Sequence, residues 1–249
     1  MNNRKLIIIG IIILIIIITI LIIYFNKTDI VHNILIKDAV HMETDFLHII
    51  SPDKLPPSKI GKKYTYSLWL YSPNIPENAH WNNKYNIKKF ILYRYGSPNI
   101  VFHPHNNLIT ISHTFKTELG TFGRYHHEIT NLTNQKWNHF SIVLNNREFS
   151  VYINGKLSYS TILENVPFVF QRFLFIGEKQ NNFNGYLCNL EYFNDALSSN
   201  DILDIYNSQK NKLDNNVDKY SRTYYLRRIK QLEEEKKQTE LNEKIKFAF

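Results

Sequence analysis

A long loop between two strand-like segments carries the side chains best suited to binding a ligand. Trp81 lies in this loop, with His80, Asn82 and Asn83 around it. An aromatic ring can stack on the apolar face of a sugar at little entropic cost, and amides add hydrogen bonds. These four residues therefore form a predicted carbohydrate-binding site. The alternative is that Trp81 packs beneath its own loop.

The carboxylates do not form the pattern that glycoside hydrolysis needs. That reaction uses two acids that face one sugar bond, about 5–10 Å apart. Glu43 and Asp45 are the nearest pairing but lack a third acid, and Glu191 and Asp195 straddle the end of a predicted strand. The sequence thus predicts no catalytic residue and no enzyme activity.

Two pairs of histidines raise the question of a metal site. Pro104 predicts a turn between His103 and His105, and no nearby cysteine completes a zinc set for these or for His126 and His127. We expect surface or loop histidines. Loop oxygen ligands for calcium cannot be assigned from the residues, so no cofactor is predicted with certainty and calcium stays open.

Composition limits the fold and the partners. The chain has 249 residues, a net charge of +8 and a single cysteine. Its length suits one sandwich-sized domain with appendages. The basic residues are scattered, with many in the two end segments, so the charge does not indicate a nucleic-acid partner. Cys188 lies between apolar positions of a predicted strand, which predicts a buried structural thiol.

Short β-prone segments bounded by Gly, Pro or Asn fill the middle of the chain. Residues 64–71 alternate between two faces, as a strand does. Residues 137–163 predict a hairpin that turns at Asn154 and Gly155, because a type I′ turn needs positive φ at both positions. Further strands are predicted at 34–36, 46–50, 89–95, 99–103, 108–113, 170–176 and 183–193, with a looser stretch at 114–136. This spacing predicts an all-β antiparallel sandwich.

Helical patterns follow the predicted strands. Ser198 and Ser199 precede Asp201, which is typical of a helix start and predicts a short helix at about 199–208. The tail, residues 211–249, is highly charged and lacks a sustained heptad. We interpret it as a solvated helix rather than a coiled coil.

An uncharged run of 20 residues, 6–25, predicts a transmembrane signal anchor. Such a helix covers about 30 Å, the hydrocarbon thickness of a bilayer. Arg4 and Lys5 place the N-terminal residues 1–5 in the cytoplasm by the positive-inside rule. The rest of the chain is then lumenal, extracellular or on a virion membrane, with a linker at 26–41. Asn131, in an Asn-Leu-Thr sequon, is the predicted glycosylation site.

Six segments, in the right order, look like the elements of one known family. Residues 64–70, 135–143 and 151–156 look like its opening core strand, its Lys-Trp-x-His strand and its central hairpin, and residues 175–177, 183–187 and 192–206 look like its closing strands and helix. Over residues 42–210 the chain therefore resembles the laminin-G-like branch of the concanavalin A-like lectin/glucanase superfamily. Similar membrane-anchored domains occur in proteins of large DNA viruses.

This resemblance implies a jelly roll of two antiparallel sheets. It also implies structural rather than binding roles for Trp69, Trp137, Asn154, Gly155, Gly177 and Gly185. Trp137 is expected to be a core anchor, Gly155 a turn requirement and Gly185 a tight strand start. Many relatives bind glycans, some bind proteins or Ca²⁺, and a minority hydrolyse β-glucans.

The sequence as a whole predicts a membrane-anchored, non-catalytic module that binds carbohydrate or glycoprotein. Two alternatives stay open: a structural or assembly protein that uses the sandwich for protein–protein contact, and a degenerate glycoside hydrolase.

Overall fold

The structure is a computed structural model that describes residues 12–19, 30–42, 46–72, 88–104, 107–130, 132–133, 135–183 and 185–214. Residues 12–19 form a helix, α1. Across the described ranges, no helix is long and apolar enough to cross a membrane. The two ends of the predicted span 6–25, the predicted binding residues 80–83, Asn131 and residues 215–249 lie outside the described residues.

The first sheet has seven strands: β1 (His32–Ile36), β2 (Val40–His41), β4 (Lys63–Tyr71), β9 (Trp137–Asn145), β10 (Glu148–Ile153), β11 (Lys156–Ile162) and β13 (Tyr186–Phe193). Their order is β1-β13-β4-β9-β10-β11, and β2 also pairs with β13. Every pairing is antiparallel. β10 and β11 are joined by the predicted turn, in which Asn154 and Gly155 have φ of 50° and 76°.

The second sheet has six strands: β3 (His48–Ile50), β5 (Lys89–Arg94), β6 (Asn99–His103), β7 (Leu108–Lys116), β8 (Phe122–Ile129) and β12 (Leu174–Ile176). Their order is β3-β12-β5-β6-β7-β8, again antiparallel throughout. A 3₁₀ turn, Pro52–Lys54, precedes β4, and the helix α2 (Ser199–Asp214) follows β13.

The inner faces of the two sheets form one apolar core. Tyr66, Leu68 and Leu70 of β4 point into it, as the alternation predicts, and pack with residues of the second sheet such as Ile91 and Phe102. Removal of this apolar surface from water is the main stabilising contribution. The predicted antiparallel sandwich is confirmed.

α2 packs on the outer face of the first sheet. Ser198 and Asp201 cap its start reciprocally: the Asp201 carboxylate accepts the Ser198 backbone N–H (2.9 Å), and the Ser198 hydroxyl accepts the Asp201 N–H (3.3 Å). Leu213, the second-to-last residue of α2, is buried with Trp69 and Cys188 of the sheet. α2 therefore runs six residues beyond the predicted end at 208, because its last turns still cover apolar surface.

Three details differ from the sequence predictions. β1 and β2 pair with β13, so the first sheet extends into the predicted linker 26–41. β8 lies within the predicted looser stretch 114–136. Trp137 is only half-buried and packs against the outer cluster of Trp69, Cys188 and Leu213 rather than in the core between the sheets, because it shares a strand face with His139.

Candidate binding pocket on the second sheet

A pocket of about 430 Å³ opens on the outer face of the second sheet. Pockets that hold small molecules are typically about 300–1,000 Å³ and mainly apolar, with a few polar groups. This one has that composition, being lined by Leu47, Phe90, Tyr93, Phe175, Gly177, Glu178 and Lys179.

The aromatic floor of the pocket follows from the pairing of β12 with its two neighbours. Phe175 lies opposite Ile49 of β3 and Tyr93 of β5, so these three side chains share the outer face. Leu174 and Ile176 alternate with Phe175 and are fully buried in the core. The rings of Tyr93 and Phe175 are 6.1 Å apart and tilted by 44°.

A bulge brings a third ring to the floor. Residues 90 and 93 are three apart and would face opposite sides of a regular strand. The pairing of β5 with β6 shifts register between Phe90 and Leu92, which inserts one extra residue. Phe90 therefore lines the pocket together with Tyr93, while Ile91 and Leu92 are both buried.

The charged mouth of the pocket is held by a tightly bonded loop. Gly177 has φ of 79°, and a Cβ there would lie 2.5 Å from the Phe46 carbonyl oxygen and 2.6 Å from the Asn182 side-chain oxygen. The same Asn182 donates its amide to the Phe46 carbonyl (2.7 Å) and accepts the Glu178 backbone N–H (2.5 Å). This network fixes the backbone from which Glu178 and Lys179 reach the pocket.

The pocket offers stacking surface and hydrogen bonds rather than bond-breaking chemistry. Three rings provide apolar faces, Glu178 can accept hydrogen bonds and Lys179 can donate them. Glu178 is the single carboxylate among the lining residues that the structure describes, whereas glycosidases pair two. Among the residues that the structure describes, no group of three or more side chains is placed to hold a metal ion.

The two acids considered from the sequence have separate structural partners. Glu191 accepts a hydrogen bond from the Gln209 amide (2.8 Å) and lies 3.1 Å from the His32 ring nitrogen. Burial raises the pKa of Glu191. Asp195 pairs instead with Lys63 at 3.4 Å. Glu191 and Asp195 therefore each bind a different partner within the protein. Glu43 and Asp45 lie outside the described residues.

The histidines also have local partners. His103 lies 2.8 Å from the Thr110 hydroxyl, on the outer face of the second sheet. His127 is buried, contrary to the expectation of a surface residue, because it lies on the inward face of β8 and stacks on Phe149 at 4.4 Å. Burial lowers its pKa to about 4. His105 lies outside the described residues.

Cys188 is buried, as predicted, and burial raises the pKa of its thiol. A thiol in this environment is a packing residue rather than a nucleophile.

The sequence predictions missed the lining residues as a group. They come from three separate segments, and only the strand pairing and the bulge bring them together. One signal was present: residues 175–177 belong to the family resemblance, although it implies a structural role for Gly177.

These features define a class: a β-sandwich of two antiparallel sheets with an open pocket on one outer face. A laminin-G family model, described as the Concanavalin A-like lectin/glucanases superfamily, matches residues 48–203, more than half of the chain. The chain belongs to this superfamily. No curated protein sequence matches it.

Solved structures share the fold at low sequence identity. The crystal structure of the botulinum neurotoxin serotype D binding domain matches with a TM-score of 0.51 and 15% identity, over 74% of this chain and 47% of that one. The receptor binding domain of botulinum neurotoxin mosaic serotype C/D matches with a TM-score of 0.51 and 14% identity, over 73% and 46%. This chain therefore spans less than half the length of each structure, and the likeness concerns the fold alone.

Proposed function

We propose that this chain is a non-catalytic module that binds carbohydrate, free or on a glycoprotein, in the pocket on the second sheet. The observation that carries the proposal is the aromatic floor of Phe90, Tyr93 and Phe175 beneath a mouth with Glu178 and Lys179. Sugar rings have apolar faces that stack on aromatic side chains and hydroxyls that bond to charged groups. Superfamily membership and the names of the two solved structures, a binding domain and a receptor binding domain, support a binding role.

We further propose that residues 6–25 anchor the module in a membrane, with the N-terminus cytoplasmic and the sandwich on the lumenal, extracellular or virion side. The support is the uncharged run itself and the basic residues Arg4 and Lys5 before it.

A glycan array probed with the full chain in lipid nanodiscs, with and without Ca²⁺, tests the binding function. We expect saturable binding to a defined set of glycans, and its loss in Tyr93→Ala. The matched control is Tyr152→Ala, which removes another half-buried tyrosine from the outer face of the first sheet, far from the pocket. Equal loss in both variants would point to a folding defect rather than to the pocket.

Other outcomes would redirect the proposal. No binding by a folded sample would favour the protein–protein alternative. Release of sugars from a β-glucan panel would favour the hydrolase, and binding that survives Tyr93→Ala would place the ligand elsewhere. Loss of binding with a chelator would add a calcium site.

A further inference from the structure

Exposed apolar side chains gather at one end of the sandwich, which we call the apolar end. Leu119, at the tip of the β7–β8 hairpin, is 93% exposed. The other members are Ile60, Tyr95, Phe122, Ile162 and Val166, each 42% exposed or more. The surfaces of soluble proteins carry scattered exposed apolar residues, whereas a cluster of them at one end indicates a site of interaction with a protein or a membrane.

Strand register places the first-sheet members of this set at the same end. Lys63, Asn145, Glu148 and Ile162 form one cross-strand row at the end of β4, β9, β10 and β11. The loop that carries Ile60 joins this row, because the Lys62 backbone N–H donates to the Asn146 side-chain oxygen at 2.9 Å.

Contacts between the sheets place the remaining members there too. The Tyr64 hydroxyl, near the start of β4, lies 2.9 Å from the Ser97 hydroxyl in the loop that follows Tyr95. Thr114 of β7 bonds to both neighbouring loops: its N–H donates to Gly96, and its carbonyl accepts the Phe168 N–H, each at 2.7 Å.

A row of rings crosses this end. Tyr95 meets Phe170 at 5.3 Å, Phe170 stacks on Phe168 at 5.0 Å, and Phe168 meets Phe122 at 5.7 Å. The row packs internally, yet both of its end members are more than half exposed. Such rings suit the boundary between lipid headgroups and acyl chains.

Basic side chains flank two of the apolar tips, Ile60 and Phe122. Lys59 and Lys62 are exposed on either side of Ile60, and Lys116 lies opposite Phe122. Apolar tips bordered by lysines are complementary to a lipid surface, whose phosphates attract cations while its interior accepts apolar groups.

The chain enters the sandwich at the apolar end. β1 begins at His32, and the preceding Val31 is bonded to Asn194, just beyond the end of β13. Position 30 lies five residues beyond position 25, the end of the predicted span. Since an extended chain covers at most about 3.6 Å per residue, this end lies within about 18 Å of the predicted span.

We propose that the apolar end rests on the lipid surface of the bilayer that residues 6–25 are predicted to span. Ile60, Leu119 and Phe122 enter the headgroup region, and the flanking lysines contact phosphates. The pocket then opens on the side of the sandwich, with Gly177 and Phe90 toward the end of the second sheet that is far from the bilayer. This proposal rests on the predicted span and is independent of what the pocket binds.

Environment-sensitive fluorescence in vesicles tests the contact. The full chain is reconstituted in phosphatidylcholine vesicles after NBD labelling of Leu119→Cys or of the control Leu157→Cys. Leu157 is 57% exposed near the opposite end of the first sheet, and the native Cys188 is buried. We expect blue-shifted emission and quenching by doxyl-labelled lipid at position 119, and neither at position 157.

The possible results distinguish anchoring of the chain in the vesicle from contact between the apolar end and the lipid surface. A chain that floats with the vesicles but gives water-like emission at both positions overturns the contact while retaining the anchor. A chain that does not float overturns both. A blue shift at position 119 that grows with protein density and resists the lipid quencher identifies a second copy as the occupant and overturns the lipid proposal.

Charge substitution provides a second readout. On vesicles that also contain phosphatidylserine, Lys62→Gln is expected to weaken the contact about fivefold, since each surface lysine contributes about 1 kcal/mol near anionic lipid. Lys156→Gln, at the opposite end of the first sheet, serves as the control. Equal effects of the two substitutions would contradict the proposed orientation.

Discussion

The outer faces of the two sheets carry similar side chains, but α2 covers the face of the first sheet, whereas the face of the second sheet carries an open pocket. On the first sheet, α2 covers Trp69, His139 and Ser67, all of which are buried. On the second sheet, Tyr93 and Phe175 are half-buried and line an open pocket. Aromatic and polar residues on a sheet face therefore do not by themselves indicate a binding site. What lies over them decides whether they stabilise the fold or meet a ligand.

Hydrogen bonds hold the covered face together. The Trp69 indole donates to Gln209 of α2 at 2.6 Å, and Gln209 donates to Glu191 of β13 at 2.8 Å. Ser67 and His139 are 2.8 Å apart on adjacent strands. Each of these side chains thus has at least one hydrogen-bond partner within the protein, although Nδ1 of His139 is buried without one.

The largest expected effect is loss of stability in Trp69→Ala. Trp69 stacks on Tyr206 at 5.6 Å and is 3% exposed, so its removal leaves a cavity between α2 and the sheet. We expect the free energy of unfolding to fall by about 3–5 kcal/mol, measured by denaturant titration. A loss below about 1 kcal/mol would show that α2 does not seal this face.

The covered face should also make stability depend on pH. Burial lowers the pKa of His139 from 6.5 to about 4 and that of His113, in the core, to about 3. The unfolded chain therefore binds protons more readily, and stability that is complete above pH 6.5 is lost as the pH falls toward 4. His139 should account for about 3 kcal/mol of this loss.

Denaturant titrations across this pH range test the prediction, with His139→Gln as the comparison. The variant should show a shallower pH dependence between pH 6.5 and 4. An NMR titration that places the His139 pKa near 6.5 would mean that water reaches the face beneath α2.

Two glycine-to-alanine substitutions test how closely α2 packs on the turn at Gly155. Gly155 and Gly120 both have positive φ, 76° and 82°, so alanine is strained at either position. A Cβ on Gly155 would lie 3.0 Å from Leu203 and Tyr206 of α2, whereas on Gly120 its nearest neighbour is the Lys116 side chain at 3.8 Å.

We expect Gly155→Ala to cost about 1–2 kcal/mol more than Gly120→Ala in denaturant titration. Equal costs would show that α2 yields to the added methyl group without loss of stability.

The smallest stability effect is expected on the open face. Phe175→Ala removes a half-buried ring and should cost about 1 kcal/mol. The same substitution should abolish glycan binding on the array, so the variant separates binding from folding. A loss comparable to that of Trp69→Ala would mean that Phe175 is a core residue and that the pocket is not open.

Much of the sandwich could be predicted because its strands follow simple rules. The residues of β4 alternate between the two faces of the sheet, and the Asn154-Gly155 pair sets the turn of the β10–β11 hairpin. β8 escaped prediction because every second residue from Phe122 to Glu128 is exposed, and the intervening positions are Gly123, Tyr125 and His127 rather than a set of aliphatic residues. The position of Trp137 was wrong because the family resemblance implied a core anchor, whereas Trp137 shares a strand face with His139 and packs on the outer cluster.

The pocket could not be predicted from residues alone. Phe90 and Tyr93 reach the same face through a bulge, and Phe175 joins them through a pairing between segments more than 80 residues apart. Neither the bulge nor the pairing has a local sequence signal. The predicted loop residues at 80–83 remain an independent prediction for the glycan array.

The pairing of β1 with β13 has a mechanical consequence. β1 enters at the apolar end and runs away from it, with His32 opposite Phe193 and Ile36 opposite Leu190. A pull on residue 30 toward that end acts along the strand axis, so the hydrogen bonds of the ladder are strained together in shear rather than opened one after another. The same pull also strains the contact of His32 with Glu191 and the hydrogen bonds of Val31 with Asn194. β1 is therefore expected to resist tension applied at residue 30.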